Sequence, residues 1–384
     1  MISPKQRWLK SLFAVSVRKQ RSVAQLSIAA QIEEFEKRTQ LSAAAADDET
    51  PAAINLPEGF VETQIAGGLA GPTAFTQTPD GRFLIAQQGG SLRVFKDGAL
   101  LATPFVDLQV DSSGERGLLG VAVDPDFETN GYVYLYYTAT SPITQNRISR
   151  FTALGDVAAP GSEEILFELG PVNGNLHNGG ALQFGLDGKL YAVVGDDSSG
   201  SNSQSLNSLF GKMLRLNTDG SIPTDNPFFE SASGNNRAIW ALGLRNSFTF
   251  NVQPGTGKIY INDVGQDSFE EINEGVAGGN FGWPNSEGIG GFGIDPVYAY
   301  DHGQGCAISG GTFYNPTTAQ FPVEYVGDYF FQDFCSSFIM AYDPVTDTAT
   351  EFATGTASFK VDMLVDPQGS LYYLSRGKLC CAAS

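Results

Sequence analysis

Short apolar and polar runs alternate along most of this chain, and the runs recur in groups. From Phe60 onward one unit repeats: an apolar strand, a turn built on Pro, Asp or Gly, a strand rich in Tyr, Val and Leu, then a third strand. It reads AFTQTPDGRFLIAQQGGSLRVF from Ala74, GVAVDPDFETNGYVYLYYT from Gly120, ALQFGLDGKLYAVVGD from Ala181 and FTFNVQPGTGKIYINDVGQ from Phe248. It returns as GTFYNP to DYFFQDF from Gly311 and as VDMLVDPQGSLYYL from Val361. Six copies about 45 to 65 residues apart, with three to four strands each, predict an all-β chain folded as a six-bladed β-propeller. A β-sandwich is the competing all-β fold, but it rarely repeats one turn motif at this spacing. The strand FVETQIA near Phe60 precedes the first full unit, and few residues follow the sixth. The N-terminal strand is therefore expected to complete the last blade and close the ring.

Residues 1–55 differ in kind and read as a non-propeller extension, leaving 56–384 for the propeller. Basic residues flank a short apolar run from Ser11 to Val17, which Arg18, Lys19 and Arg21 then interrupt. As a signal peptide the stretch is irregular, because its apolar region is short and broken, and the alternative reading is a disordered extension. Ser27 to Arg38 can form a helix, and Leu41 to Ala53 is an Ala/Asp/Glu linker without a core-forming pattern.

Composition fits many short strands: 45 glycines, 27 phenylalanines and 14 tyrosines, with 17% charged residues. The net charge of −19 hides an asymmetry. Residues 1–40 hold eight Lys/Arg against three Glu, and the remainder holds 15 basic against 39 acidic groups. So acidic a surface repels nucleic acid and anionic lipid. No run approaches the ~20 apolar residues that a membrane span needs. Four cysteines are too few for a disulfide scaffold and lack the spacing of a zinc site. Cys306 and Cys335 lie in neighbouring strand regions and read as a disulfide, the alternative being two free buried thiols. Cys380 and Cys381 are adjacent and cannot easily bridge each other.

Propellers bind ligands on the axis, where loops between blades converge, and four segments offer polar chemistry there. SSGERGLLG places Glu115 and Arg116 just before a strand. The loop NLHNGG holds His177, one of two histidines in the chain, on a glycine-flanked turn at the mouth of a hairpin. ALGLRNSF puts Arg245 and Asn246 at a strand start. NDVGQDSFEEIN surrounds Gly265 and Gln266 with Asp263, Asp267, Glu270 and Glu271, an oxygen-rich loop of the kind that suits calcium. Glu270 and Glu271 by themselves read as a solvated acidic turn, and His302 as a solvated loop histidine. Gly288, Gly290 and Gly293 match GxGxxG, but no strand precedes them and no helix follows, so a dinucleotide site is excluded.

In their order these segments resemble the glucose/sorbosone dehydrogenase family, soluble six-bladed propellers that use pyrroloquinoline quinone. The carrying stretches are ERGLLGVAVDPDFETNGYVYLYYT, LHNGGALQFGLDGKLYAVVGD, GKMLRLNTDGSIPTDNPF, IWALGLRNSF and DVGQDSFEEINEGVAGGNFGWP. The similarity runs from Leu56 to Arg376. GCAISGGTFY and YFFQDFCSSFI resemble a subgroup with this cysteine pair, and FEKRTQLSAAA resembles the tail of a bacterial export region.

The resemblance implies an oxidoreductase that oxidises a sugar hydroxyl, passing hydride to the quinone with calcium assistance and electrons on to an external acceptor. His177 matches the base that takes the substrate proton, Arg245 and Asn246 match contacts of the quinone oxygens, and Glu115 falls at a polar cofactor contact. Gly265 and Gln266 match the loop whose carbonyls hold calcium. A secreted or periplasmic location follows from the same likeness. One departure is marked: the family's sugar dehydrogenases clamp the cofactor carboxylates with a blade-five lysine and arginines at the start of blade six. Here FFQDFCSS has no basic residue, and Phe359 and Val361 occupy the arginine positions, with Lys360 expected on the opposite face. The alternative function is a non-catalytic, calcium-stabilised propeller that binds carbohydrate or a protein partner.

Overall fold

The computed structural model describes residues 54–384. The expectations for the apolar run, helix, linker and export-like tail of residues 1–53 lie outside the described residues. From Ile54 onward the chain forms six antiparallel sheets, one per sequence repeat. Each blade begins with an inner strand: Pro72–Gln77, Leu118–Val123, Leu182–Phe184, Ser247–Val252, Ile308–Phe313 and Lys360–Val365. Blades are numbered from one to six in that order.

The ring closes as its N-terminal strand predicted. Val61–Ala66 forms the fourth strand of blade six, pairing antiparallel with Lys378–Ala383 in the register Val61 to Ala383 and Thr63 to Cys381. Just before it, Asn55 bridges Thr354 on blade five. Phe60 then packs edge-on against Phe321 and Phe352, ring centres 4.6 and 5.1 Å away. Such aromatic pairs add about 0.5–1.5 kcal/mol each beyond area burial.

Alternation makes this architecture. Both faces of each sheet meet a neighbouring blade, so the strands are apolar on both sides and their turns are polar. One buried cluster links blades two and three through Tyr134, Tyr136, Leu182, Val194 and Leu214. Another links blades five and six through Tyr314, Phe330, Phe352, Met363 and Tyr373.

The two ends of the axis differ. At the C-terminal ends of the inner strands a cavity of about 340 Å³ is lined by all six blades, including Thr76, Gln183, Asn251, Asn315 and Asp362. At the N-terminal ends lie Gly71, Glu115, His177, Arg245, Cys306 and Phe359, each just before an inner strand. The turns between second and third strands join them there. Every residue singled out for chemistry in the sequence belongs to this second face.

Candidate functional site

The hairpin Leu182–Phe184 and Leu190–Val194, with Leu182 opposite Ala192, returns the chain to its starting end. Asp196 thereby arrives beside His177, and His177 Nδ1 lies 2.7 Å from Asp196 Oδ1. The other carboxylate oxygen accepts from Trp283 Nε1 at 2.9 Å. Asp196 is 2% exposed, so the acid is fixed from below while the imidazole reaches the surface. His177 itself has φ +59°, a left-handed conformation costly for any residue with a β-carbon. The loop holds it there through its own backbone: His177 N–H donates to Glu115 Oε2 at 2.6 Å. A side chain at Gly195 would collide with the His177 carbonyl, so that position requires glycine.

Glu115 also accepts from Asn246 Nδ2 at 3.4 Å, which brings blades two, three and four to one point. Asn246 Oδ1 is buried without a partner, as is Arg245 Nε. Asp263 holds this strand start, accepting from Arg245 N–H at 2.9 Å and Asn246 N–H at 2.8 Å. Its pKa is pushed up to about 7, because burial and the neighbouring Glu271 charge outweigh those bonds and Arg245.

Arg245 Nη1 donates to the carbonyls of Val264 and Gly265, at 2.9 and 2.8 Å, and its guanidinium lies over the Trp283 ring. The structure thus brings together Glu115, His177 and Asn246, and separately Arg245 and Gly265. Gln266 stands apart. Its N–H, with those of Asp267, Ser268 and Phe269, converges on Glu287.

Calcium fits this loop poorly. Arg245 already donates to the Gly265 carbonyl, the adjacent amides are taken by Glu287, and among the described residues no three carboxylates cluster at this loop. Among the described residues the only three clustered metal-ligand types are Cys306, Asp333 and Cys335, and the two sulfurs are joined in a disulfide. Asp333 accepts from Cys306, Ala307, Cys335 and Ser336 N–H groups and stitches that disulfide to blade five. A flat polar ligand fits better: Arg245 Nε and Asn246 Oδ1 leave a donor and an acceptor unpartnered, and the Arg245 guanidinium lies over the Trp283 ring.

The reading of Glu270 and Glu271 as a solvated turn is corrected. Both are buried, at 0% and 8% exposure. Glu270 accepts from Gly265 and Ile308 N–H groups at one oxygen, and its other oxygen lies 2.9 Å from His302 Nε2, so His302 sits against a buried carboxylate rather than in solvent alone. Burial pushes Glu270 up to about 8. Lys360 is fully buried, and its ammonium donates to the Ser336 and Ala357 carbonyls, so it supplies no charge to the axis. Phe359 packs edge-on against Phe334, an aromatic wall where the clamp was sought. Asp196, Trp283 and Gln88 were missed from the sequence, and Asp263 was named there only as part of the oxygen-rich loop. Only Asp196 carried a usable signal, since a two-stranded hairpin returns the chain to its own start.

The family model of glucose/sorbosone dehydrogenase matches residues 69–376. Quinoprotein glucose dehydrogenase B from Acinetobacter calcoaceticus is 32% identical over 272 residues, 63% of this chain and 55% of that protein. An aldose sugar dehydrogenase from Escherichia coli is 32% identical over 224 residues, 56% of this chain and 58% of that protein. The chain therefore spans little more than half the length of these curated relatives. The mouse Hedgehog-interacting protein is 28% identical over 203 residues, 44% of this chain and 28% of that protein. The crystal structure of the soluble aldose sugar dehydrogenase of Escherichia coli, in its apo-form, superposes with a TM-score of 0.75 at 27% identity. It covers 84% of this chain and 99% of that one. With the repeat, the six-bladed ring and the ordered motifs all in agreement, this chain belongs to the glucose/sorbosone dehydrogenase family.

Proposed function

We propose that this chain oxidises a sugar hydroxyl, with pyrroloquinoline quinone as the electron acceptor. The pair His177–Asp196 is the observation that carries the reading. A carboxylate accepts the Nδ1 proton, which leaves Nε2 free to take the substrate hydroxyl proton as the adjacent C–H bond breaks. Trp283 fixes Asp196, and Glu115 fixes the His177 backbone, so the base stays oriented between turnovers. Arg245, Asn246 and Glu115 are the residues that would hold the cofactor. When bound, the quinone supplies a two-electron acceptor for hydride. No step is assigned to calcium. An external electron acceptor would be needed to complete each cycle, and the disulfide supports an extracytoplasmic setting. Among the described residues no helix is long and apolar enough to cross a membrane.

A second reading, a binding module without redox chemistry, is favoured by the aromatic pair Phe334 and Phe359, which stands where the family's sugar dehydrogenases carry cations. Titration of the protein with quinone, followed by absorbance, and dye reduction with a panel of aldoses separate the two. Saturable binding with sugar-dependent dye reduction supports the dehydrogenase. Absence of both leaves the binding module.

A further inference from the structure

Arg376 stands in the turn between the second and third strands of blade six, Leu371–Ser375 and Lys378–Ala383. This is the face that carries His177. The chain holds 42 acids against 23 Lys/Arg, yet no carboxylate among the described residues comes within 4.0 Å of this guanidinium. Tyrosine hydroxyls and carboxylates raise the pKa values of Arg147 and Arg150, and carboxylates those of Arg82 and Arg215, whereas burial alone draws that of Arg376 below the usual arginine value. A partly buried, uncompensated cation is costly unless a ligand pairs with it.

Its surroundings join it to the catalytic side. Arg376 Nη2 donates to Gln88 Oε1 at 2.7 Å, and Gln88 Nε2 donates to the carbonyls of Gly114 and Arg116, at 2.7 and 2.9 Å. Those carbonyls flank Glu115, which holds His177 and Asn246. On the other side the backbone runs Arg376 N–H to Phe359 O and Phe359 N–H to Phe334 O. The rim is thus hydrogen-bonded from blade two through blade one to blades six and five, and Arg376 is the cation that blade six contributes to it. A β-carbon at Gly71 would sit 3.1 Å from Nη2, so glycine there keeps the guanidinium clear.

We propose that Arg376 binds a carboxylate of the quinone cofactor, supplying from the blade-six turn the charge that Phe359 and Val361 do not. The proposal rests on the quinone-dependent reading. A guanidinium presents a planar fork that matches a carboxylate in two parallel bonds.

Equilibrium titration of the full chain with pyrroloquinoline quinone, without sugar, tests it. Arg376→Gln should weaken binding by roughly 10- to 150-fold, the loss expected for a charge-assisted contact. It should also flatten the dependence of affinity on salt, which a merely structural loss would not do. If Arg376→Gln does not fold, Arg376→Lys carries the test, since it keeps the charge but loses the fork. Several-fold weaker binding then supports the proposal. Parent-like affinity and salt dependence in the folded variant overturn it while leaving the dehydrogenase reading intact. No quinone binding by the parent chain overturns both.

Discussion

His177 Nδ1 and Asp196 Oδ1 lie 2.7 Å apart at the two ends of one hairpin, and the acid is itself held by Trp283. The side chain that would touch substrate is therefore oriented by a buried carboxylate that does not touch it. Replacing Asp196 by Asn should leave quinone binding and the melting temperature nearly unchanged. Turnover should fall about 10²-fold or more, because Asn can stabilise the wrong imidazole tautomer. Steady-state kinetics and a thermal melt on the same preparation check this.

His177→Gln should reduce turnover by about 10²–10⁴-fold, the usual worth of a positioned base. Quinone affinity should survive, since the role proposed for His177 is on the substrate. Dye-reduction kinetics beside a cofactor titration test the split. Equal turnover in parent and variant would remove His177 from the chemistry.

Stability should fall as pH rises from 5 to 7. Burial raises Asp263 and Asp362 to about 7 and Glu270 to about 8, while unfolded carboxylates titrate near 4. The folded state then binds more protons across this window, so raising pH favours unfolding. Lys212, drawn down to about 7, and Lys360, drawn down to about 8, act in the opposite sense only above those values. Melting temperatures at pH 5 and 7 should differ in that direction, and Glu270→Gln should shrink the difference. A higher melting temperature at pH 7 contradicts the assignment.

Opening the Cys306–Cys335 bridge, which spans 29 residues, should cost about 3–4 kcal/mol by loop-closure entropy. Denaturant unfolding of Cys306→Ser with Cys335→Ser measures it. Peptide mapping without reduction should show the two peptides linked.

A chain beginning at Gly67 lacks Val61–Ala66 and exposes the edge of Lys378–Ala383. It should aggregate or melt well below a chain beginning at Ile54. Light scattering and thermal melts distinguish them.

The ring was legible in the sequence because strand alternation and turn residues are local properties, and one turn motif recurs six times. The order of blades and their closure by the strand at Phe60 followed from counting strands. His177, Arg245, Asn246 and Glu115 could be named because each precedes an inner strand on a polar loop. Their partners could not be read the same way. Asp196 and Trp283 are 87 residues apart, and Gln88 and Arg376 are 288 apart. Blade geometry alone brings such pairs within hydrogen-bond reach. Burial was equally hidden: Glu270 and Glu271 have the composition of a solvated turn, but both are buried in a strand, where the Ile308 amide of blade five claims one and the Gly288 amide the other. The Gly265 carbonyl had the right chemistry for a metal, and only the tertiary structure put the Arg245 guanidinium on it. Sequence determined which backbone hydrogen bonds form; the packing of six sheets around one axis decided which side chains meet and which charges are left without a partner.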